Sequence, residues 1–303
     1  QPGLNQYKNS EKNNSSHSLF WVSSPFTLIY IPYEHRFYNL AAGKGTRMGS
    51  DLPKALNLLG GKPLVQHLLD TVSDIKGSRV QLVVGHKPEL VKSSLDTNKK
   101  TDFVLQKKQL GTGHAVKQTL KNLRSNSISL VLYGDGPLVK KQTLTRLIAS
   151  AEKGNLSILT YKPTDPHGYG RIVRDKKGLV DKIVEQKDAS SDERKISEVN
   201  SGILAIKTKY LKDLVIKISN KNAAKEYYLT DIVQFAKNDG LECKYFVTNE
   251  EEVVGVNSKY ELSIAENIYQ NRKRTEFMNN GVTLRLPETI FFSFDTKIGN
   301  DVE

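Results

Sequence analysis

The stretch Leu40-Ala41-Ala42-Gly43-Lys44-Gly45-Thr46-Arg47-Met48, followed by Leu52-Pro53-Lys54, sets two glycines beside two fixed positive charges. Glycine lets a backbone turn sharply and approach a ligand closely. The N–H groups of such a turn converge on one concavity that suits phosphate oxygens. Arg47 offers a planar fork of donors and Lys54 a compact point charge, and both suit phosphate. Two familiar phosphate loops are excluded. A Walker loop needs Lys directly after its last glycine, where Thr46 stands, and the dinucleotide fingerprint needs a third glycine where Met48 stands. An ordinary strand-to-helix turn with solvated basic residues is the competing reading. The offsets of Arg47 and Lys54 favour a nucleotide loop. No Ser/His/Asp or Cys/His arrangement supplies a nucleophile. His67, His86, His114 and His167 lack metal-ligand spacing and read as structural or exposed.

Short apolar runs alternate with helical patterns around that loop. Strands are expected at Arg36–Leu40, Val80–Gly85, Phe103–Gln106, Ile128–Tyr133 and Ser157–Thr160. Helices are expected from Pro63, from Pro88, and from Gly111 through about Leu123. The alternation predicts an α/β fold with a parallel sheet covered on both faces. Ligands of such sheets bind beyond the carboxyl ends of the strands. Leu40, Gln106 and Asp135 all fall there, so the loop, the amide and the carboxylate should converge on one crevice. After residue 160 the pattern changes to a hairpin around Gly168–Val180, then Val184-Glu185 and an apolar strand from Asn200 to Ile206. This stretch reads as a lobe inserted over the sheet. Val253–Asn257 reads as a strand end, and 258–280 as a long amphipathic helix with Ile264 and Ile268 on one face near Tyr260, Ala265 and Tyr269.

Composition narrows the class. The chain has 303 residues, 38% of them hydrophobic, enough for one large core or two smaller ones. Net charge is +12, but the basic residues are scattered and not interleaved with aromatics. That favours a basic lineage or an anionic substrate over nucleic acid. The lone Cys243 has no partner for an internal disulfide and fits a reducing compartment. No apolar run reaches the roughly 18 residues that a membrane span needs. Leu19–Tyr33 comes nearest and lacks a clear basic flank or cleavage site. Residues 1–35 read as an atypical extension, with Gln1–Ser18 disordered by composition. Asn39 is polar where a buried strand wants an aliphatic residue.

The loop resembles the signature of the sugar-nucleotide pyrophosphorylases, Leu-Ala-Ala-Gly-x-Gly-Thr-Arg-Met and then Leu-Pro-Lys. With Gly61-Lys62-Pro63-Leu64-Val65-Gln66-His67, the resemblance narrows to bacterial bifunctional enzymes whose first half is an N-acetylglucosamine-1-phosphate uridyltransferase. It covers about residues 40–303, with several motifs in family order. It implies a Rossmann-like nucleotidyltransferase domain over 36–259 with a mainly parallel sheet and an inserted sugar-binding lobe. A linker helix over 260–280 comes next. The start of a left-handed parallel β-helix, the hexapeptide-repeat acetyltransferase half, falls over 281–303. The chain is expected to stop as that half begins. Acetylation of glucosamine-1-phosphate from acetyl-CoA is then expected to be absent, and the family homotrimer, built through the β-helix, is expected to give way to a monomer.

By the same resemblance the reaction is transfer of UMP from UTP to N-acetylglucosamine-1-phosphate, in the cytoplasm, with Mg²⁺ as cofactor and neither nucleic acid nor membrane as partner. Asp135 and Asn257 would hold the metal; alone, Asp135 would read as a turn cap and Asn257 as a helix N-cap. Arg47 and Lys54 would steady the triphosphate. Leu40, Ala41, Ala42, Gly43, Gln106, Gly111 and Thr112 would select uridine, with Gln109 close by. A Gln amide carries both donor and acceptor, which matches the imide edge of uracil. Tyr133, Gly134, Gly170, Glu185 and Asn200 would line the sugar cleft, with Tyr227 and Thr230 completing it. The rival readings are a pyrophosphorylase for another sugar phosphate and a catalytically silent sugar-nucleotide binder.

Overall fold

The computed structural model describes residues 34–43, 45–97, 100–122 and 126–303. The predicted disordered stretch, the apolar run Leu19–Tyr33 and Lys44 lie outside them. The first strand is longer than its sequence reading: β1 runs Glu34–Leu40 and takes in two residues assigned to the extension. A small hairpin of β2 (Leu58–Leu59) and β3 (Lys62–Pro63) leads into α1 (Leu64–Ser73). Then come β4 (Ser78–Val84), α2 (Pro88–Ser93), β5 (Thr101–Leu105), α3 (Thr112–Thr119) and β6 (Ser127–Tyr133). Next are α4 (Lys141–Glu152) and β7 (Leu156–Tyr161). The hairpin β8 (Arg171–Arg174) and β9 (Val180–Val184) precedes α5 (Ser191–Arg194) and β10 (Val199–Lys207). The chain continues through α6 (Thr208–Val215), α7 (Ile232–Asn238), β11 (Cys243–Val247), α8 (Glu250–Val253) and α9 (Lys259–Asn279).

The main sheet has the order β11-β7-β10-β6-β1-β4-β5, and the β8–β9 hairpin branches from β10. β1 lies parallel between β4 and β6, while β10 runs antiparallel to β6 and β7. The mainly parallel α/β sheet expected from the sequence is present. One buried cluster packs α1 and α4 on Phe37, Leu82, Leu130 and Leu132. The other packs α6 and α7 on Tyr38, Val131, Ile158 and Leu204. Successive strand residues face opposite ways, so both covers require the near-continuous apolar runs seen in the sequence.

Register fixes where the site falls. Leu40 pairs with Val83 on one side and Tyr133 on the other, and Val84 pairs with Leu105. The carboxyl ends of β1, β4, β5 and β6 are therefore level. The segments that leave these strand ends, from Ala41, Gly85, Gln106 and Gly134, make one rim.

Two expectations need correction. Val253–Asn257 is no strand: α8 ends at Val253 and the chain then runs extended, tied by the Val256 N–H to the Asp135 carbonyl at 2.8 Å. The buried face of α9 is Ala265, Tyr269, Gln270, Arg274 and Phe277, whereas Tyr260 is 75% exposed and Ile264 37%. Polar Gln270 and Arg274 reach carbonyls of Phe292 and Ile290, so the packed stripe is not the most apolar one. Residues 281–303 form no strand, and Val282 and Phe292 pack on Phe277.

Candidate active site

The strand-end rim opens into a cleft lined by Leu40, Ala41, Ala42, Gly43, Lys54, Gln106, Gly111, Thr112, Tyr133, Gly134 and Asp135. Every residue assigned to uridine selection is among them. Gly43 has open space where a Cβ would stand, so a ligand can lie on its backbone. Gly45 sits at φ +67°, and a Cβ there would come within 2.7 Å of the Lys54 Cβ. Its glycine identity lets the loop fold against the lysine.

Lys54 is the hub of the charged centre. Its Nζ forms an ion pair with Asp135 Oδ2 and donates to Asn257 Oδ1 at 2.9 Å. Three elements supply this trio: the loop after β1, the end of β6 and the segment before α9. The reading of Asn257 as a helix cap fails, because Ser258 caps α9, its hydroxyl accepting from the Glu261 N–H. Asn257 keeps its side chain for the cleft, and its N–H donates to Glu261 Oε2 at 2.7 Å. An ammonium already bridges Asp135 and Asn257, so the pair is shaped and charged to take a cation. One carboxylate and one amide oxygen, with water or phosphate completing the shell, suit Mg²⁺. Among the described residues no group of three His, Cys, Asp or Glu is arranged around a metal position.

A second hollow adjoins the first across Tyr133. It is lined by Thr112, Tyr133, Gly170, Glu185, Asn200, Glu226 and Tyr228, with Gly168, Tyr169, Ser201 and Gly202 completing it. The two hollows share Thr112, Tyr133 and Glu226. A β-bulge between Asn200 and Leu204 reshapes β10 here. Gly202 in that bulge has φ +85°, and a Cβ would meet the Tyr133 ring edge at 2.4 Å. The bulge therefore seats Tyr133 and turns Asn200 to the hollow, where its Oδ1 accepts from the Gly202 N–H at 3.0 Å. Glu185 accepts from the Thr230 hydroxyl at 2.9 Å. Burial raises the Glu185 pKa, reinforced by the charges of Asp231, Asp188 and Glu226. Burial, with Asp188, pushes Asp231 up to about 6. Burial also raises the Tyr133 hydroxyl well above the ordinary phenol range.

Some assignments shift. Tyr228, not Tyr227, lines the second hollow. Tyr227 instead pairs its backbone with Leu110 and Gly113 and lays its ring beside His114, centroids 6.1 Å apart. In a Tyr-Tyr pair entering a helix only one ring can face the cleft, and no signal in the sequence says which. Gln106 is no solvated strand end: it is 3% exposed, and Nε2 donates to the Gly111 carbonyl. Arg47 is exposed in the turn Thr46–Met48 and is not among the residues that line the cleft, while its neighbour Met48 is buried. Tyr169, Ser201 and Glu226 escaped the sequence reading. Gly202 beside Ser201 was the available sign of a bulge.

Residues 40–198 match the MobA-like NTP transferase domain family, which is more than half of the chain. The bifunctional protein GlmU of Cellvibrio japonicus is 45% identical over 264 residues, 87% of this chain and 58% of that protein. GlmU of Marinobacter nauticus is 44% identical over the same shares. The chain thus spans less than two thirds of these relatives' length. By structure, an apo UDP-glucose pyrophosphorylase superposes with TM-score 0.64 at 16% identity, over 80% of this chain and all of its own. HddC of Yersinia pseudotuberculosis gives 0.57 at 23%, over 77% of this chain and 99% of its own. These two speak for the fold, the sequence match for descent. Since that match falls on the strands and loops that build the cleft, the chain belongs to the MobA-like NTP transferase domain family.

Proposed function

We propose that this chain transfers UMP from UTP to N-acetylglucosamine-1-phosphate in the cytoplasm, giving UDP-N-acetylglucosamine and pyrophosphate, with Mg²⁺ as cofactor. The observation that carries the reading is the junction of the two hollows at Tyr133-Gly134-Asp135, beside the Lys54–Asp135–Asn257 trio. A nucleotide on the loop side and a sugar phosphate on the lobe side would meet there. The match to the MobA-like NTP transferase domain supports nucleotidyl transfer, and the motif resemblance to the N-acetylglucosamine-1-phosphate uridyltransferases supports the sugar and the base.

The chemistry asks for position and charge. A phosphate oxygen of the sugar phosphate attacks the α-phosphorus of UTP in line, the bond to the β-phosphate oxygen breaks, and pyrophosphate leaves. Both reactants are anions, so electrostatic cover and alignment dominate the barrier. Asp135 and Asn257 would hold the metal, which supplies positive charge to the phosphates when bound. Lys54 then exchanges its carboxylate partner for phosphate oxygen. Arg47, exposed on the turn beside the loop and outside the cleft lining, would reach the outer phosphates only from the cleft mouth. Glu185 and the Asn200 amide hold the sugar by directional hydrogen bonds, and Tyr133 separates base from sugar.

Lys54→Ala should lower kcat by about 10²-fold or more, the cost of one preorganised charge at the reacting centre. Its KM for sugar phosphate should move far less; equal loss in both parameters contradicts the assignment. The whole reading is tested by pyrophosphate release from UTP and N-acetylglucosamine-1-phosphate with Mg²⁺, against glucose-1-phosphate and an Asp135→Ala control. Release that prefers the acetylated sugar and vanishes in the control supports it. Ligand binding without release overturns it in favour of a silent binder, and preference for glucose-1-phosphate in favour of a different pyrophosphorylase.

A further inference from the structure

Gln106 stands at the end of β5 on the nucleotide side of the cleft. Its Nε2 donates to the Gly111 carbonyl at 3.2 Å and lies 3.0 Å from Nδ1 of His114 on α3. An amide nitrogen carries two hydrogens, and both are used here. A backbone carbonyl only accepts, so Gly111 fixes which end of the amide is nitrogen. Among the described residues nothing donates to Gln106 Oε1, and this oxygen is not sealed from solvent. Gln106 therefore offers the cleft an acceptor alone.

The imidazole decides whether that orientation holds. Its Nε2 lies 3.1 Å from the Gln118 amide, drawn with nitrogen toward the ring, while Gln106 nitrogen meets Nδ1. A neutral imidazole has one N–H and one acceptor and cannot accept from both amides. One amide must turn. Gln106 is buried, whereas Gln118 is partly exposed and gives up only a 3.2 Å contact to the His114 carbonyl. Gln118 is the one that turns, which leaves the proton on Nε2 and the acceptor on Nδ1. Burial first, and Lys117 second, lower the His114 pKa and keep the ring neutral.

We infer that His114 is a positioning residue for base selection: its Nδ1 pins the Gln106 amide with oxygen toward the cleft, so that the site accepts a base with an imide N–H and disfavours cytosine. This rests on the uridylyl-transfer reading above. Uracil N3–H would donate to Gln106 Oε1. Cytosine presents a lone pair at N3, which would face an oxygen that cannot donate. Without the pin, the amide can reverse for the loss of its Gly111 bond and meet cytosine with N–H.

The test compares UTP and CTP on the wild type, His114→Phe and His114→Asn, by calorimetric affinity and by kcat and KM with N-acetylglucosamine-1-phosphate. Phe keeps a ring beside Tyr227 and removes the acceptor. Asn places an oxygen near the Nδ1 position. The UTP-over-CTP affinity ratio should fall about tenfold in His114→Phe, the worth of one hydrogen bond that separates the bases. KM for UTP should carry the change with kcat little altered, and His114→Asn should restore most of the ratio. An unchanged ratio in His114→Phe, or equal loss in both variants, overturns the role of His114. A wild type that takes UTP and CTP alike overturns the uridine reading itself and the pin with it.

Discussion

Glu185 carries opposed demands. The carboxylate that would grip a sugar hydroxyl is buried, and burial raises its pKa in the free protein. A carboxyl with a raised folded-state pKa adds stability below its unfolded pKa and loses that contribution as pH rises through the folded pKa. At neutral pH the ionised Glu185 therefore works against folding. Glu185→Gln keeps an oxygen for the Thr230 hydroxyl, 2.9 Å away in the wild type, and removes the charge. The variant should melt higher than wild type at pH 7 to 8, and the gap should close as the solution is taken down to about pH 4. Affinity for the sugar phosphate should fall roughly ten- to a hundredfold, as expected when a charged acceptor is lost. Thermal melts across that range and calorimetric titration check the two halves. A less stable variant at pH 7 would show that Glu185 is held by favourable partners and not by function.

At the scale of elements, the cleft depends on a join between distant segments. The loop before α3 and the stretch 226–231 are tied by the Tyr227 N–H to the Leu110 carbonyl and the Gly113 N–H to the Tyr227 carbonyl, both 2.8 Å. Gly111 lies inside this join at φ +104°, and a Cβ there would stand 2.7 Å from the Tyr227 oxygen. Gly111→Ala must break the join and strain its own backbone, so urea unfolding should report a loss of about 1–3 kcal/mol. Nucleotide and sugar affinity should both weaken, since Thr112 and Tyr228 hang from the two sides of the join. Loss of stability with both affinities intact would separate the join from the site. The parallel strands and the strand-end crevice were legible in the sequence, because runs such as Ile128–Tyr133 admit little else. The loop that lines the cleft was legible through the spacing of Gly43, Gly45 and Lys54. Illegible were features decided by tertiary contact: the β10 bulge under Tyr133, the exposure of Arg47, the extended path to Asn257, and which tyrosine of the 227–228 pair lines the second hollow. None of these changes hydrophobic period, which is the signal a single sequence offers.

Across the whole molecule, the centre of the sheet carries an anomaly that bears on stability alone. β1 is an interior strand, yet it places Arg36 and Asn39 in the core, both under 5% exposed. Among the described residues Asn39 Oδ1 has no hydrogen-bond partner, and neither polar atom of Gln81 has one. Gln81 is fully buried on β4, in register with Tyr38 of β1, whose hydroxyl accepts from Ser129 at 3.3 Å. A buried amide without partners costs about 1–3 kcal/mol relative to one that is satisfied. Leu has similar volume and no polar atom, so Gln81→Leu removes that penalty while keeping the core filled. The expected result is a gain of about 1–3 kcal/mol in urea unfolding, with pyrophosphate release unchanged because Gln81 does not line the cleft. Asn39→Val should add to it nearly in full, since Asn39 is in register with Leu82 and Gln81 with Tyr38, which puts the two side chains on opposite faces of the sheet. If Gln81→Leu lowers stability, the amide must have partners that the packing of β1, β4 and β5 does not reveal, and the sheet centre would be a satisfied polar network and not a penalty.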